Sequence, residues 1–101
     1  MVRKKVIFVL VLLIMSINLF AGGCNYNGIP LHGKVKFVDS FPDIKIKYVT
    51  SFPDLKVKFV NSFPNSCGEW QIVDSFPDFT VQVVDSFPDI TIQRVDAFPG
   101  E

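Results

Sequence analysis

Past the first 23 residues, two cysteines, one histidine, two rows of aspartates and six lysines are the residues of this chain with the means to do chemistry. The first aspartate row is Asp39, Asp74, Asp85 and Asp96; the second is Asp43, Asp54, Asp78 and Asp89. Stacked carboxylates can hold calcium, but such loops need glycines to fold carbonyls around the ion. Here a stiff Phe-Pro pair stands between the two rows. The first reading is that these aspartates cap turns and pair with lysines; binding of a metal ion or small ligand by the rows is the second. Each Ser-Phe-Pro corner also places a serine near an aspartate, but a serine bonding its local backbone accounts for that arrangement. His32 is the one histidine and stands apart from the corners. No catalytic residue, cofactor or resident metal is therefore expected, and the chain reads as a non-enzyme.

Lys34, Lys36, Lys45, Lys47, Lys56 and Lys58 are interleaved with Phe37, Tyr48 and Phe59. On a strand those aromatics face away from the lysines, so they form no stacking platform beside a basic stripe. The chain past residue 23 is net acidic, which also argues against nucleic acid. From Asn25 to Ser66 there are six positive and three negative side chains; from Cys67 to Glu101 there are one and seven.

Residues 1–23 read as a signal peptide: a basic start at Arg3, Lys4 and Lys5, an apolar run from Val6 to Phe20, then the small residues Ala21, Gly22 and Gly23. About fifteen apolar residues are short for a membrane span, which needs about 20. The expected location is outside the cytoplasm of a bacterium: periplasm, cell surface or medium. Cleavage after Ala21 fits the small-residue rule, and Ala21-Gly22-Gly23-Cys24 is also similar to a lipobox in which Cys24 carries lipid. An oxidising compartment and an even cysteine count permit a Cys24–Cys67 disulfide. Lipidation of Cys24 is the alternative, and would be the chain's one tie to a membrane. The chain thus reads first as a non-enzymatic, exported structural or interaction module, with no known small molecule and a protein partner that the sequence does not name.

Residues 24–33 form a leader whose Asn27-Gly28 and Ile29-Pro30 mark turns. Residues 34–101 are six copies of one eleven-residue unit, with corner prolines at Pro42, Pro53, Pro64, Pro77, Pro88 and Pro99. The Cys67-Gly68 insertion divides them three and three. Each unit opens with alternation such as Ile44-Lys45-Ile46-Lys47-Tyr48, the mark of a strand buried on one face. It closes in a corner, where proline cannot continue a ladder. Two units would make one flattened rung, and the corner phenylalanines (Phe41, Phe52, Phe63, Phe76, Phe87, Phe98) are expected to stack at one edge of the core. Val38, Val49, Val60, Val73, Val84 and Val95 share parity with the outward lysines yet are apolar. Either a bulge turns them inward or part of the outer face is covered. Trp70 takes an inward position beside the insertion. The last unit, with Arg94, Ala97 and Gly100, reads as a cap.

The outward residues of units four to six are Glu69, Gln71, Thr80, Gln82, Thr91 and Gln93. Directly stacked like units would set lysine against lysine about 4.8 Å apart, and like charges directly opposite destabilise. Interleaving the two halves puts each lysine beside a Gln, Thr or Glu. The expected fold is thus all-β, with the two halves wound together. The repeated VDSFPD corner, the strand KVKFV and the run CGEWQIVDSFPDFTVQ resemble the septoil-knot domain family across residues 34–101. That resemblance implies a double-wound β-solenoid whose backbone forms a seven-crossing torus knot. It implies no biochemical activity.

Overall fold

The computed structural model describes residues 23–101, so the signal segment, apart from Gly23, lies outside the described residues. Within the leader Asn27-Gly28 is the turn of a hairpin, whereas Ile29-Pro30 is a strand and not a second turn. Strand β1 (Asn25–Tyr26) pairs antiparallel with β2 (Ile29–Pro30). Asn27 and Gly28 both have positive φ, 49° and 85°, the conformation that a two-residue hairpin turn with native twist requires.

The repeats supply β3 (Gly33–Phe37), β4 (Ile44–Tyr48), β5 (Leu55–Phe59), β6 (Glu69–Ile72), β7 (Phe79–Val83) and β8 (Ile90–Arg94). They close into an all-parallel barrel in the order β3-β6-β5-β8-β4-β7. Every strand from one half has neighbours only from the other. The lysines accordingly lie opposite Gln71 (Lys34), Thr80 (Lys36), Gln82 (Lys45), Thr91 (Lys47), Gln93 (Lys56) and Glu69 (Lys58). The interleaving expected from charge is what the register shows. The flattened two-unit rung is not: three successive units make one circuit of the barrel, and the second three fill the gaps.

Parallel strands ordinarily need a crossover of a dozen or more residues, yet β3 and β4 are joined by six, Val38 to Asp43. The steep stagger explains this. Phe37 at the end of β3 and Ile44 at the start of β4 both pair with Val81, on opposite sides of β7. The connection therefore moves sideways past one strand, about 9.6 Å, and need not retrace a strand length. Each step round the barrel shifts the register in this way, until Gly33 and Phe59 meet Trp70 from its two sides.

Inward residues make the core. The first two layers, among them Val35, Ile44, Ile46, Leu55, Val57, Trp70, Phe79, Val81 and Ile92, are buried. Trp70 fills the middle as its size suggests, in edge contact with Phe59 and Phe79. Glycines stand at two first-layer positions, Gly33 and Gly68. Leu31 of the leader is buried with this core, and its carbonyl accepts both the Trp70 indole N–H (3.2 Å) and the Gly68 N–H (2.9 Å). The leader thus plugs the end at which the strands begin. A side chain at Gly68 would meet the Lys56 carbonyl and the Gly100 nitrogen, and its φ is 83°.

Candidate functional site: the outer straps

The six-residue connections are straps across the outside of the barrel. Val38 donates its N–H to the Val81 carbonyl on one side of β7, and Asp43 donates to the Thr80 carbonyl on the other. The outward side chains Gln82 and Thr80 reach the two ends of the same strap, Gln82 Nε2 donating to the Asp39 carbonyl and the Thr80 hydroxyl to Asp43 Oδ2. With the interior filled by buried side chains, the strap must pass over the outer face of β7. The same bonds place strap 49–54 over β8, 73–78 over β3, 84–89 over β4 and 95–100 over β5. The coverage explains the six valines: they open the five straps and the long link, extend the ladder by one bond each and are half-buried.

The second aspartate row clasps each strap to the strand beneath. Asp43 Oδ2 accepts the Thr80 N–H and Asp54 Oδ2 the Thr91 N–H, both at 2.8 Å. Asp78 Oδ2 accepts the Lys34 N–H at 2.8 Å and Asp89 Oδ2 the Lys45 N–H at 2.7 Å. Charge-assisted bonds of this kind are the strong ones. In the last strap Gly100 stands where the aspartate would be. There the backbone replaces the carboxylate: the Gly100 carbonyl accepts the Lys56 N–H at 2.8 Å, and the Gly100 N–H returns to the Lys56 carbonyl at 2.9 Å. The last unit does not cap a stack as its sequence suggests, because β8 is paired on both sides within the closed barrel. In the longer link around Pro64, Glu69 Oε1 accepts the N–H groups of Asn65 and Ser66.

The corner phenylalanines contradict the expectation that they edge the core. Phe41, Phe52, Phe63, Phe76, Phe87 and Phe98 are 80–97% exposed. All six have φ between 52° and 57°, a region that bulky residues rarely enter. A strap crossing outside a filled barrel presents one face to the strand and one to water. Val and Pro occupy the covered face, being half-buried. The left-handed backbone turns the ring between them to the solvent side. The corner prolines Pro42, Pro53, Pro64, Pro77, Pro88 and Pro99 all lie on the straps or the long link, outside the ladders, as expected.

Cys24 and Cys67 form a disulfide, tying the leader to the inserted turn. The two cysteines line an open depression of about 420 Å³ with His32 and Asn65. His32 Nδ1 lies 3.0 Å from the Pro64 carbonyl; a carbonyl only accepts, so Nδ1 carries the hydrogen. Tyr26 faces Asp89, whose hydrogen bond and charge, with burial, hold the phenol above its usual range. Among the described residues no three His, Cys, Asp or Glu side chains gather closely enough to hold a metal ion.

The pattern of the 7(1) septoil knot domain matches residues 28–101. The chain belongs to that family. The match takes in every strap and Cys67 but begins after Cys24. An uncharacterized protein of Synechocystis sp. is 71% identical over 49 residues, which cover 48% of this chain and 44% of the relative. The aligned stretch is thus less than half of that relative's length.

Proposed function

We propose that this septoil-knot chain is an exported, non-enzymatic interaction module whose contact residues are the six corner phenylalanines, five on the straps and Phe63 on the long link. One observation carries the reading: six apolar rings stand in water on a backbone conformation that glycine would adopt at lower cost. Neither folding nor solubility favours that choice, and strain held at exposed sites points to function. Six near-identical tips around one barrel suit a partner that is itself repeated, since linked weak contacts gain strongly from effective concentration. The aspartates of the second row serve a different end, each having an oxygen engaged in a clasp.

The disulfide supports export to an oxidising compartment. A lipid on Cys24 would need the sulfur that the disulfide uses, so an intact mass from the host's envelope fraction, with and without reductant, separates the two. The straps support the double-wound, knotted course that the family's name describes, because each half passes beneath connections of the other. A chain threaded in that way refolds over seconds or longer; refolding within milliseconds would count against it.

The test of function compares the wild type with a variant in which all six phenylalanines are glycine, each added to envelope isolated from the host. Retention falling at least tenfold, with an unchanged circular dichroism spectrum, supports the reading. Equal retention of the two proteins would sink it.

A further inference from the structure

The barrel's two ends differ. Leu31 plugs the end where the strands begin. At the other end stands the third inward layer: Phe37, Val83, Tyr48, Arg94, Phe59 and Ile72 in order round the barrel. Among the described residues nothing covers it. Tyr48 is 43% exposed, Ile72 and Val83 are each 47% exposed, and Phe37 and Phe59 are half-buried. Arg94, the one charged member, lies with its guanidinium 5.3 Å from the centre of the Phe59 ring. Its aliphatic stem and stacked head extend the apolar dish.

Contiguous exposed apolar surface marks an interaction site, whereas scattered single residues need no such explanation. The dish is small. A standard interface engages about 20–30 residues a side, and six side chains are too few for a stable end-to-end dimer. They suffice to seat one aromatic ring. The barrel is closed, so no strand edge is free for pairing with another chain. Any second copy must therefore engage through side chains, and each copy carries six rings of the right kind, five on its straps and one on the long link.

We infer that the chain self-associates by seating a strap phenylalanine of one copy in the open barrel end of another. This rests on the reading of the strap phenylalanines as contact residues, and it names one partner for them: a second copy of this chain. Knob and socket lie on different parts of the surface. The contact is therefore heterologous and does not close into a symmetric pair. With one socket and six knobs per copy, assemblies branch. A single seated ring makes a weak contact, in the millimolar range, which gathers strength where copies are concentrated.

The experiment uses two variants, each prepared with its disulfide intact. In one, all six corner phenylalanines are glycine, which leaves the socket; in the other, Ile72→Asp and Val83→Asp spoil the socket and leave the knobs. Sedimentation equilibrium up to about 1 mM reads the assembly of the wild type, of each variant and of an equimolar mixture. The expected result is self-association of the wild type, weakened at least tenfold in either variant alone. The mixture should form complexes of one socket-free copy with one or more knob-free copies, and none that contains two socket-free copies. Monomeric wild type throughout overturns the inference, and so does undiminished association of the knob-free variant, which would mean end-to-end packing. Should the aspartates disturb folding, Ile72→Thr with Val83→Thr replaces them. Methyl shifts at Ile72 and Val83 of the labelled knob-free protein, on adding unlabelled socket-free protein, then give the reading, and their absence overturns it. A monomeric wild type whose envelope retention still depends on the phenylalanines would sink self-association alone.

Discussion

Replacing Phe52 by glycine should leave the protein as stable as before or more stable. Phe52 is 97% exposed, so removing its ring forfeits almost no buried apolar surface. Its φ is 52°, and an L-residue held there costs roughly 1–2 kcal/mol that glycine does not incur. Against this, glycine gives the unfolded chain extra freedom, worth roughly 0.5–1 kcal/mol. The net change is a gain of about 0–1.5 kcal/mol. For a domain of this size about 1 kcal/mol moves Tm by about 4–8 °C. Phe52→Ala keeps the strained backbone and should change stability by no more than about 0.5 kcal/mol. Had the ring belonged to the core, its removal would cost about 3–5 kcal/mol. The two accounts therefore differ in sign as well as size. Urea unfolding of wild type, Phe52→Gly and Phe52→Ala, with equal slopes to show equal exposed surface on unfolding, decides between them. Destabilisation of the glycine variant by more than about 2 kcal/mol would refute the reasoning and, with it, the argument that the six rings are held outside for a purpose other than folding.

Other substitutions test the remaining parts. Asp54→Ala removes the acceptor for the Thr91 N–H and hydroxyl. It should cost about 1–3 kcal/mol in denaturant unfolding, with the last strap unaffected because Gly100 uses its own backbone. Removing the Cys24–Cys67 bridge by a double serine substitution frees a loop with a sequence separation of 43. Chain entropy puts the loss at about 4 kcal/mol, seen as a lower Tm equal to that of the reduced wild type. Tyr26 and Tyr48 both have raised pKa values, Tyr26 through its hydrogen bond to Asp89 and Tyr48 through burial opposed by Arg94. Each phenol keeps its proton longer in the folded state. Their contribution is full below the unfolded value of about 10 and is lost as pH rises through the folded values. Stability should fall in that alkaline window, and a Tyr26→Phe, Tyr48→Phe double variant should flatten the fall.

Much of the architecture is legible in the chain itself. Alternation such as Ile44-Lys45-Ile46 states which face is buried, and proline at each corner states where a ladder stops, because both follow from local geometry. The partition of lysines to one half and Gln, Thr and Glu to the other anticipates the pairing between halves, since charge opposes the stacking of like units. Trp70 as core follows from the same reading, whereas for the six valines the sequence leaves an inward bulge and outer coverage equally open. The three-unit circuit, the aspartate clasps and the position of the phenylalanines do not. Asp78 meets the Lys34 N–H 44 residues away, and only closure of the barrel brings them together. Which side of a corner faces water depends on a strap crossing over a strand from the other half, and on a positive φ that nothing in phenylalanine's own preferences suggests. Apolar character alone assigned those rings to the core. Tertiary structure put them in solvent, because the interior is already full when the straps cross it from outside.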